Sequence, residues 1–245
     1  MFKGCTSLTS APALQATTLK EYCYNNMFYE CTSLTSAPAL PASTLKNSCY
    51  NNMFWGCTAL TTAPALQATV LADNCYTNMF RDCTALTSAP ALPATIMKKD
   101  CYFSMFKNCA SLTAAPELKA ETLAESCYYE MFYGCTSLTS APALPATTLA
   151  ESCYASMFYG CTALTTAPVL KAPQVLKNSY YEMFRDCSQL SSITCLATSI
   201  GDNGTYYWLH GVASSGTFTR ASSATNWLTS STGIPSGWTV QVYSD

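Results

Sequence analysis

Fifteen cysteines in 245 residues are the main stock of reactive side chains in this chain. Their spacing is regular. One set is Cys5, Cys31, Cys57, Cys83, Cys109, Cys135 and Cys161, extended by Cys187. A second is Cys23, Cys49, Cys75, Cys101, Cys127 and Cys153, with Ser179 in the next place; Cys195 lies outside both. Three chemistries compete for them. Disulfides would pair across eight residues, Cys23 with Cys31 through Cys153 with Cys161, then Cys187 with Cys195, leaving only Cys5 over. An extracellular setting permits this. Against it, eight residues of helix span about 12 Å, and a disulfide needs Cα atoms within about 7 Å. Zinc has little support: there is no C-x-x-C, and His210 is the single histidine, so the usual ligand sets are missing. The third reading makes cysteine a small buried hydrophobe. Catalysis finds no footing either. With His210 alone there is no Ser-His-Asp set, and no phosphate-binding G-x-x-x-x-G-K loop occurs. No enzyme activity, cofactor or metal is therefore expected.

The cysteines are placed by a repeat. "MF" recurs at Met1, Met27, Met53, Met79, Met105, Met131, Met157 and Met183, always 26 residues apart. The shared pattern is M-F-x-x-C-T-x-L-T-x-A-P-x-L-x-A-x-x-L-x-x-x-C-Y-x-x. Seven full copies end at Glu182, and an eighth fades after Leu196. The first copy opens at residue 1, as a segment of a longer array would. A fixed period of this length predicts a stack of coils, each contacting mainly its neighbours. Apolar residues at Leu149, Cys153 and Met157 are spaced i, i+4, i+8, which suits one helical face. Thr148 with Glu151, Thr18 with Glu21 and Thr122 with Glu125 match a capping box. A helix of two to three turns per copy is the expectation. "CTSLTSAPAL" predicts an extended rung, broken at the proline column Pro12 to Pro168 because proline donates no ladder bond. Leu8 and Leu14 share one parity and should face inward. Ala13 becomes Glu117 in the fifth copy, so that position should face solvent; Ile193 and Cys195 in the last copy point the other way. The tyrosine column, Tyr24 to Tyr180, and the Met-Phe pairs read as core, although a tyrosine binding ladder is the alternative for the former.

The segment "YxxMFxxCTSLTSAPAL" resembles the BspA-type bacterial leucine-rich repeat, whose unit reads roughly I-G-x-x-A-F-x-x-C-x-x-L-x-x-I. Phe132, Cys135 and Leu138 take the Phe, Cys and Leu places, and Cys153 stands where the Ile would be. The chain departs from that unit in its period, 26 rather than about 23, and in its Ala-Pro rung. The resemblance covers residues 1 to about 196. It implies an α/β repeat solenoid, a leucine-rich-repeat-like right-handed superhelix with short strands and short helical segments. It also implies a secreted or cell-surface bacterial protein with roles in adhesion and partner binding, and it brings no catalytic residues.

Function should lie where the copies differ. The third position of the copies reads Lys3, Tyr29, Trp55, Arg81, Lys107, Tyr133, Tyr159 and Arg185. Four residues before it stand Asn25, Asn51, Thr77, Phe103, Tyr129, Ala155 and Tyr181. Aromatics and arginine dominate binding hot spots, whereas drift on a solvated face would favour Lys, Asp and Ser. Phe103, Lys107, Tyr129, Tyr133, Tyr159, Tyr181 and Arg185 are thus the candidate ligand-binding residues, expected as one exposed strip. The remaining residues, 197–245, are rich in Ser, Thr and Gly, and "GTFTRA" and "GWTVQV" alternate as strands do. They are expected to form a small β-rich cap over the open end of the 1–196 solenoid, with Trp208, Trp227 and Trp238 as its apolar surface, or alternatively a glycan site. Charged residues are only 11% and net charge is −2, which gives no footprint for nucleic acid. No apolar run is long enough for a membrane span. Two function classes remain. One is a non-catalytic recognition protein binding a glycan or protein on a host or bacterial surface. The other is an architectural spacer or fibre component of a bacterial surface structure or phage.

Overall fold

The computed structural model describes residues 1–225 and 227–244. Each 26-residue copy is one coil, and the coils stack in register. On one side of the coil the chain makes a run of consecutive tight turns. Alternate amides bond in two directions. Phe28 N–H donates to the Met53 carbonyl of the next coil at 2.9 Å, and Tyr50 N–H to Cys75 at 3.0 Å. The amides between them close turns within the coil, as Met27 N–H does to Tyr24 at 3.2 Å and Cys31 N–H to Phe28 at 3.1 Å. Every fourth residue has a left-handed backbone: Tyr22, Asn26 and Glu30 in the first pass, Ser48, Asn52 and Gly56 in the next. Asn, Gly, Asp and Ser hold most of these places, and Asn, Asp and Gly tolerate positive φ best. Their side chains also link coils: Asn78 donates to Asn52 at 3.0 Å and Asn108 to Asp82 at 2.8 Å.

The expected helices are not there: no helix occurs among the described residues. The i, i+4, i+8 spacing is real, but its cause is a four-residue turn period, which repeats nearly as a helix does. The left-handed residue in each turn is incompatible with a right-handed helix, and half the amides serve the next coil. The supposed capping glutamates do something else. Glu125 accepts from Lys99 at 2.8 Å, Glu151 from Lys177 at 2.7 Å and Glu21 from Asn47 at 3.3 Å, each one coil away.

The rung side is sparser. Isolated parallel bridges join Ser36 to Thr62 before the prolines and Leu40 to Leu66 after them. The ladder thus breaks at Pro38 and Pro64, as expected for residues without an N–H. Leu34, Leu40, Leu60 and Leu66 are buried, and Ala39, Ala65, Ala91 and Glu117 are exposed, so the parity reading holds. Ile193 and Cys195 are buried for a separate reason. Thr166 pairs with Ser192 but Leu170 with Cys195, so this rung is one residue shorter and Cys195 takes the leucine's place.

Continuous strands appear only towards the end. These are β1 (Gln174–Val175), β2 (Ser192–Cys195), β3 (Ser199–Ile200), β4 (Gly216–Arg220) and β5 (Trp238–Val242). All pairings are parallel, β1 with β3, and β2 with β4 with β5. The turn side continues too, with Phe184 N–H donating to Trp208 and Asp186 to His210. Trp208 is fully buried and stacks on Tyr180 at 6.3 Å and on Trp227 at 5.4 Å. It sits at the end of the tyrosine column.

The core is a set of columns. Phe2 through Phe184 stack coil upon coil, with neighbouring rings 5.4–5.7 Å apart. Tyr24 through Tyr180 form a parallel column. From Tyr50 onward these tyrosines are buried, so they are packing residues and offer no binding ladder. All fifteen cysteines are free; Cys5 and Cys23 are exposed and the rest buried. The first set has a specific task. Cys57 Sγ donates to the Phe28 carbonyl, Cys83 to Phe54 and Cys109 to Phe80, each at 3.1 Å. The thiol fills space and gives a second donor to a carbonyl that already accepts a turn-closing amide, Cys31 N–H in the case of Phe28. In the second set, Ser179 makes the equivalent bond to Ala150 at 3.1 Å. Burial pushes Cys49 up to about 11 and Cys57 and Cys135 up to about 12, so these thiols are protonated and poor nucleophiles.

Candidate functional site

All seven candidate residues lie on the turn side, and all are half-buried rather than fully exposed. They fall into two neighbouring columns. Phe103 and Tyr129 stack at 4.8 Å with nearly parallel rings. Tyr181 lies two coils beyond Phe103's neighbour and stacks on Tyr206 at 5.6 Å. In the second column Tyr133 and Tyr159 stack at 4.5 Å. Lys107 Nζ covers the outer face of that pair at 4.1 Å from the Tyr133 centroid, and the Arg185 guanidinium stands 5.5 Å from Tyr159. The second column is therefore a closed sandwich: cation, ring, ring, cation. Such contacts contribute roughly 0.5–2 kcal/mol each.

The first coils carry the same motif. Lys3 lies over Tyr29 at 4.7 Å, Tyr29 packs edge-on to Trp55 at 5.3 Å, and Arg81 covers Trp55 at 4.3 Å. Lys-Tyr-Trp-Arg in coils one to four is repeated as Lys-Tyr-Tyr-Arg in coils five to eight. The candidate set missed this half, although its order stands in the sequence once the third positions are read as fours. Tyr206 and Tyr207, the latter 5.4 Å from Arg185, also extend the columns. Nothing in the 26-residue register pointed to them, because the last coil is shorter: Glu182 N–H meets the Tyr206 carbonyl 24 residues on.

Acidic residues tie the cations down. Lys107 donates to Glu130 at 2.7 Å, Arg185 pairs with Glu182, and Trp55 Nε1 donates to Asp82 at 2.7 Å. The hydroxyl of Tyr133 is held above its ordinary value, first by burial and then by Glu130. Tyr159 is raised by burial and by its hydrogen bond to Asp186. Tyr133 and Tyr159 are thus neutral hydrogen-bonding groups throughout the physiological range. The pattern suits contact recognition: rigid rings, fixed charges and no activated nucleophile. Among the described residues no cluster of three or more His, Cys, Asp or Glu could hold a metal. No described helix is long and apolar enough to cross a membrane.

A family model described as the BspA type leucine rich repeat region, in six copies, matches residues 1–113 and 99–207. The chain belongs to this family. Its fold is that of a leucine-rich repeat, here with turns in place of helices. Among solved structures it is similar to a leucine-rich repeat protein from Bacteroides ovatus ATCC 8483, at 16% identity over 98% of this chain and 76% of that one, with a TM-score of 0.39. No curated protein matches. Leucine-rich repeat proteins are generally non-catalytic interaction scaffolds, those of the BspA type are typically bacterial surface or secreted proteins, and no enzyme family is indicated.

Proposed function

We propose that this chain is a non-catalytic recognition protein of a bacterial surface or secretome. It binds a glycan or protein of a host or bacterial surface through the strip formed by Phe103, Lys107, Tyr129, Tyr133, Tyr159, Tyr181 and Arg185. One observation carries the reading. Two repeat positions, the third and the one four residues before it, turn repeatedly to large aromatics, joined at the third by Lys and Arg, and their side chains gather, half-buried, into two adjoining columns on one side. Residues 1–196 act in this reading as a right-handed solenoid presenting the strip, and residues 197–245 as the cap of its open end. Repetition would multiply weak contacts into avidity for a polymeric or repeating ligand. The test is an array of surface glycans and proteins probed with the intact chain and with Tyr129→Ala/Tyr133→Ala. The double variant should lose at least about tenfold in affinity, the effect of 1.4 kcal/mol, with little change in thermal stability. Wild-type affinity in a variant that has lost stability would make these tyrosines packing residues.

A spacer or fibre component is the second reading. The closed sandwich of Lys107, Tyr133, Tyr159 and Arg185 favours it, since ring faces covered from within the chain are withheld from a partner. Under that reading the array returns no hit for the sides of the stack.

A further inference from the structure

One place in the first aromatic column is empty. Phe103 and Tyr129 occupy it at the ends of coils four and five, and Tyr181 at the end of coil seven, but coil six has Ala155. The alanine is buried, and a cleft of about 280 Å³ opens there, lined by Tyr129, Ser152, Ala155, Asn178 and Tyr181. Tyr129 spends its other face on Phe103, and Tyr181 spends its other face on Tyr206. The two tyrosines therefore face each other across a missing ring. With coils about 4.8 Å apart, the gap is roughly 9.6 Å, room for one flat group stacked on both sides.

We propose that this slot is a ligand site for a single flat cation, the guanidinium of an arginine side chain on a protein partner. The inference rests on the recognition reading above and narrows it. Three observations select the cation. In the adjoining column Lys107 and Arg185 cover the outer ring faces, and Lys3 and Arg81 do the same in the first coils. The slot offers the same kind of ring face with no cation of its own, since none of its five lining residues is basic. Each wall is followed in the chain by a glutamate, Glu130 after Tyr129 and Glu182 after Tyr181. Both carboxylates already hold a cation of the adjoining column, Glu130 with Lys107 and Glu182 with Arg185, and still lie near enough to act at the wall: the Tyr129 hydroxyl is raised chiefly by burial, then by Glu130, Tyr181 and Glu182. Asn178 and Ser152 add side-chain hydrogen-bonding groups at the rim. A guanidinium between two rings is attracted by both quadrupoles and is less strongly hydrated than an ammonium, so it enters a half-buried slot at lower cost.

The experiment uses the full chain and three probes: N-acetyl-arginine methylamide, its neutral citrulline counterpart and methyl β-D-glucopyranoside. Ring resonances of Tyr129 and Tyr181 are followed by NMR during titration. The arginine probe should shift both and bind at least about tenfold more tightly than the citrulline probe. Ala155→Tyr should abolish the response while thermal stability is kept or raised, because Phe103, Tyr129 and Tyr181 show that a ring fits this place. Tyr129→Leu, which keeps bulk without a ring face, should weaken binding about tenfold and guards against a misfolded Ala155→Tyr. Equal response to citrulline, response to the glucopyranoside alone, or an undiminished response in both variants overturns the proposal. The surface array is probed with Ala155→Tyr as well. A target bound equally by wild type and variant sinks the slot and leaves the recognition reading standing. An arginine response with no array target sustains the slot and sinks the reading.

Discussion

The two sides of each coil are built to different standards. On the turn side alternate amides from Tyr22 to Glu30 reach the next coil, both cysteine sets lie there, and the phenylalanine and tyrosine columns rise from it. On the rung side single bridges flank a proline, and the exposed positions are mostly alanines, threonines and serines, with Glu117 among them. The contrast teaches where this protein keeps its rigidity and where it can vary. Side chains on the turn side are fixed by neighbours above and below. Those on the outer rung are fixed by little beyond the chain itself.

The largest effect should come from alkali. Burial raises every buried thiol, thirteen in all, Cys49 to about 11 and Cys101 and Cys153 to about 12, whereas an unfolded thiol titrates near about 8.5. The folded state thus holds protons that the unfolded state releases. The stability is complete below about pH 8.5 and is lost as pH rises towards the folded values, at about 1.4 kcal/mol per pH unit for each thiol. Summed over so many thiols, unfolding should begin within about one unit above pH 8.5. Circular dichroism and thiol reactivity should change together. A native signal persisting at pH 12 would show that these thiols are not the weak point.

A paired substitution separates the two sides directly. Gly134 has a φ of +70°, and a Cβ there would meet Asn108 Oδ1 at 2.4 Å. Gly134→Val should cost about 1–3 kcal/mol for the backbone strain alone. Ala143→Val, on the exposed rung, should stay within about 0.5 kcal/mol. Chemical denaturation measures both, and equal losses would erase the distinction between the sides.

The smallest effect belongs to the exposed ion pairs. Lys99 and Glu125 are in contact at 2.8 Å, but both side chains are about half exposed. Lys99→Ala should change stability by less than about 1 kcal/mol, and less still in high salt. A greater loss would give the surface pairs a share of the rigidity assigned to the turn side.

Much of this architecture was legible in the sequence because each coil repeats its chemistry. Register, the inward leucines and the buried tyrosine, phenylalanine and methionine columns follow from recurrence alone. The helices did not follow, because apolar spacing at Leu149, Cys153 and Met157 satisfies a four-residue turn as well as a helical one. The discriminating signal sat beside it. Asn74, Asn78 and Asp82 mark every fourth place, and Ser48, Asn52 and Gly56 do the same. These are poor helix formers and good left-handed residues. At the candidate strip, residue types were legible and face coverage was not. No spacing reveals that Lys107 and Arg185 close over Tyr133 and Tyr159, or that Ala155 leaves two rings open.

The alternating amides of the turn side have an electrostatic consequence. In a sheet, successive peptides point opposite ways along the bonding direction and their dipoles nearly cancel. In the turn run of each repeat the amides that reach another coil point to the next one in chain order, as Tyr24, Asn26 and Phe28 do, while their neighbours turn inward to close the local turns; the rung-side amides that point back, such as Thr35 to Thr9, are sparser. The peptide dipoles add along the stack. The negative pole lies at the first coil, where the outward carbonyls gather, and the positive pole lies at the last, opposite to the order in an α-helix. The molecule therefore carries a direction in its field as well as in its sequence, and cations at the first coil and anions at the far end are the charges it holds best.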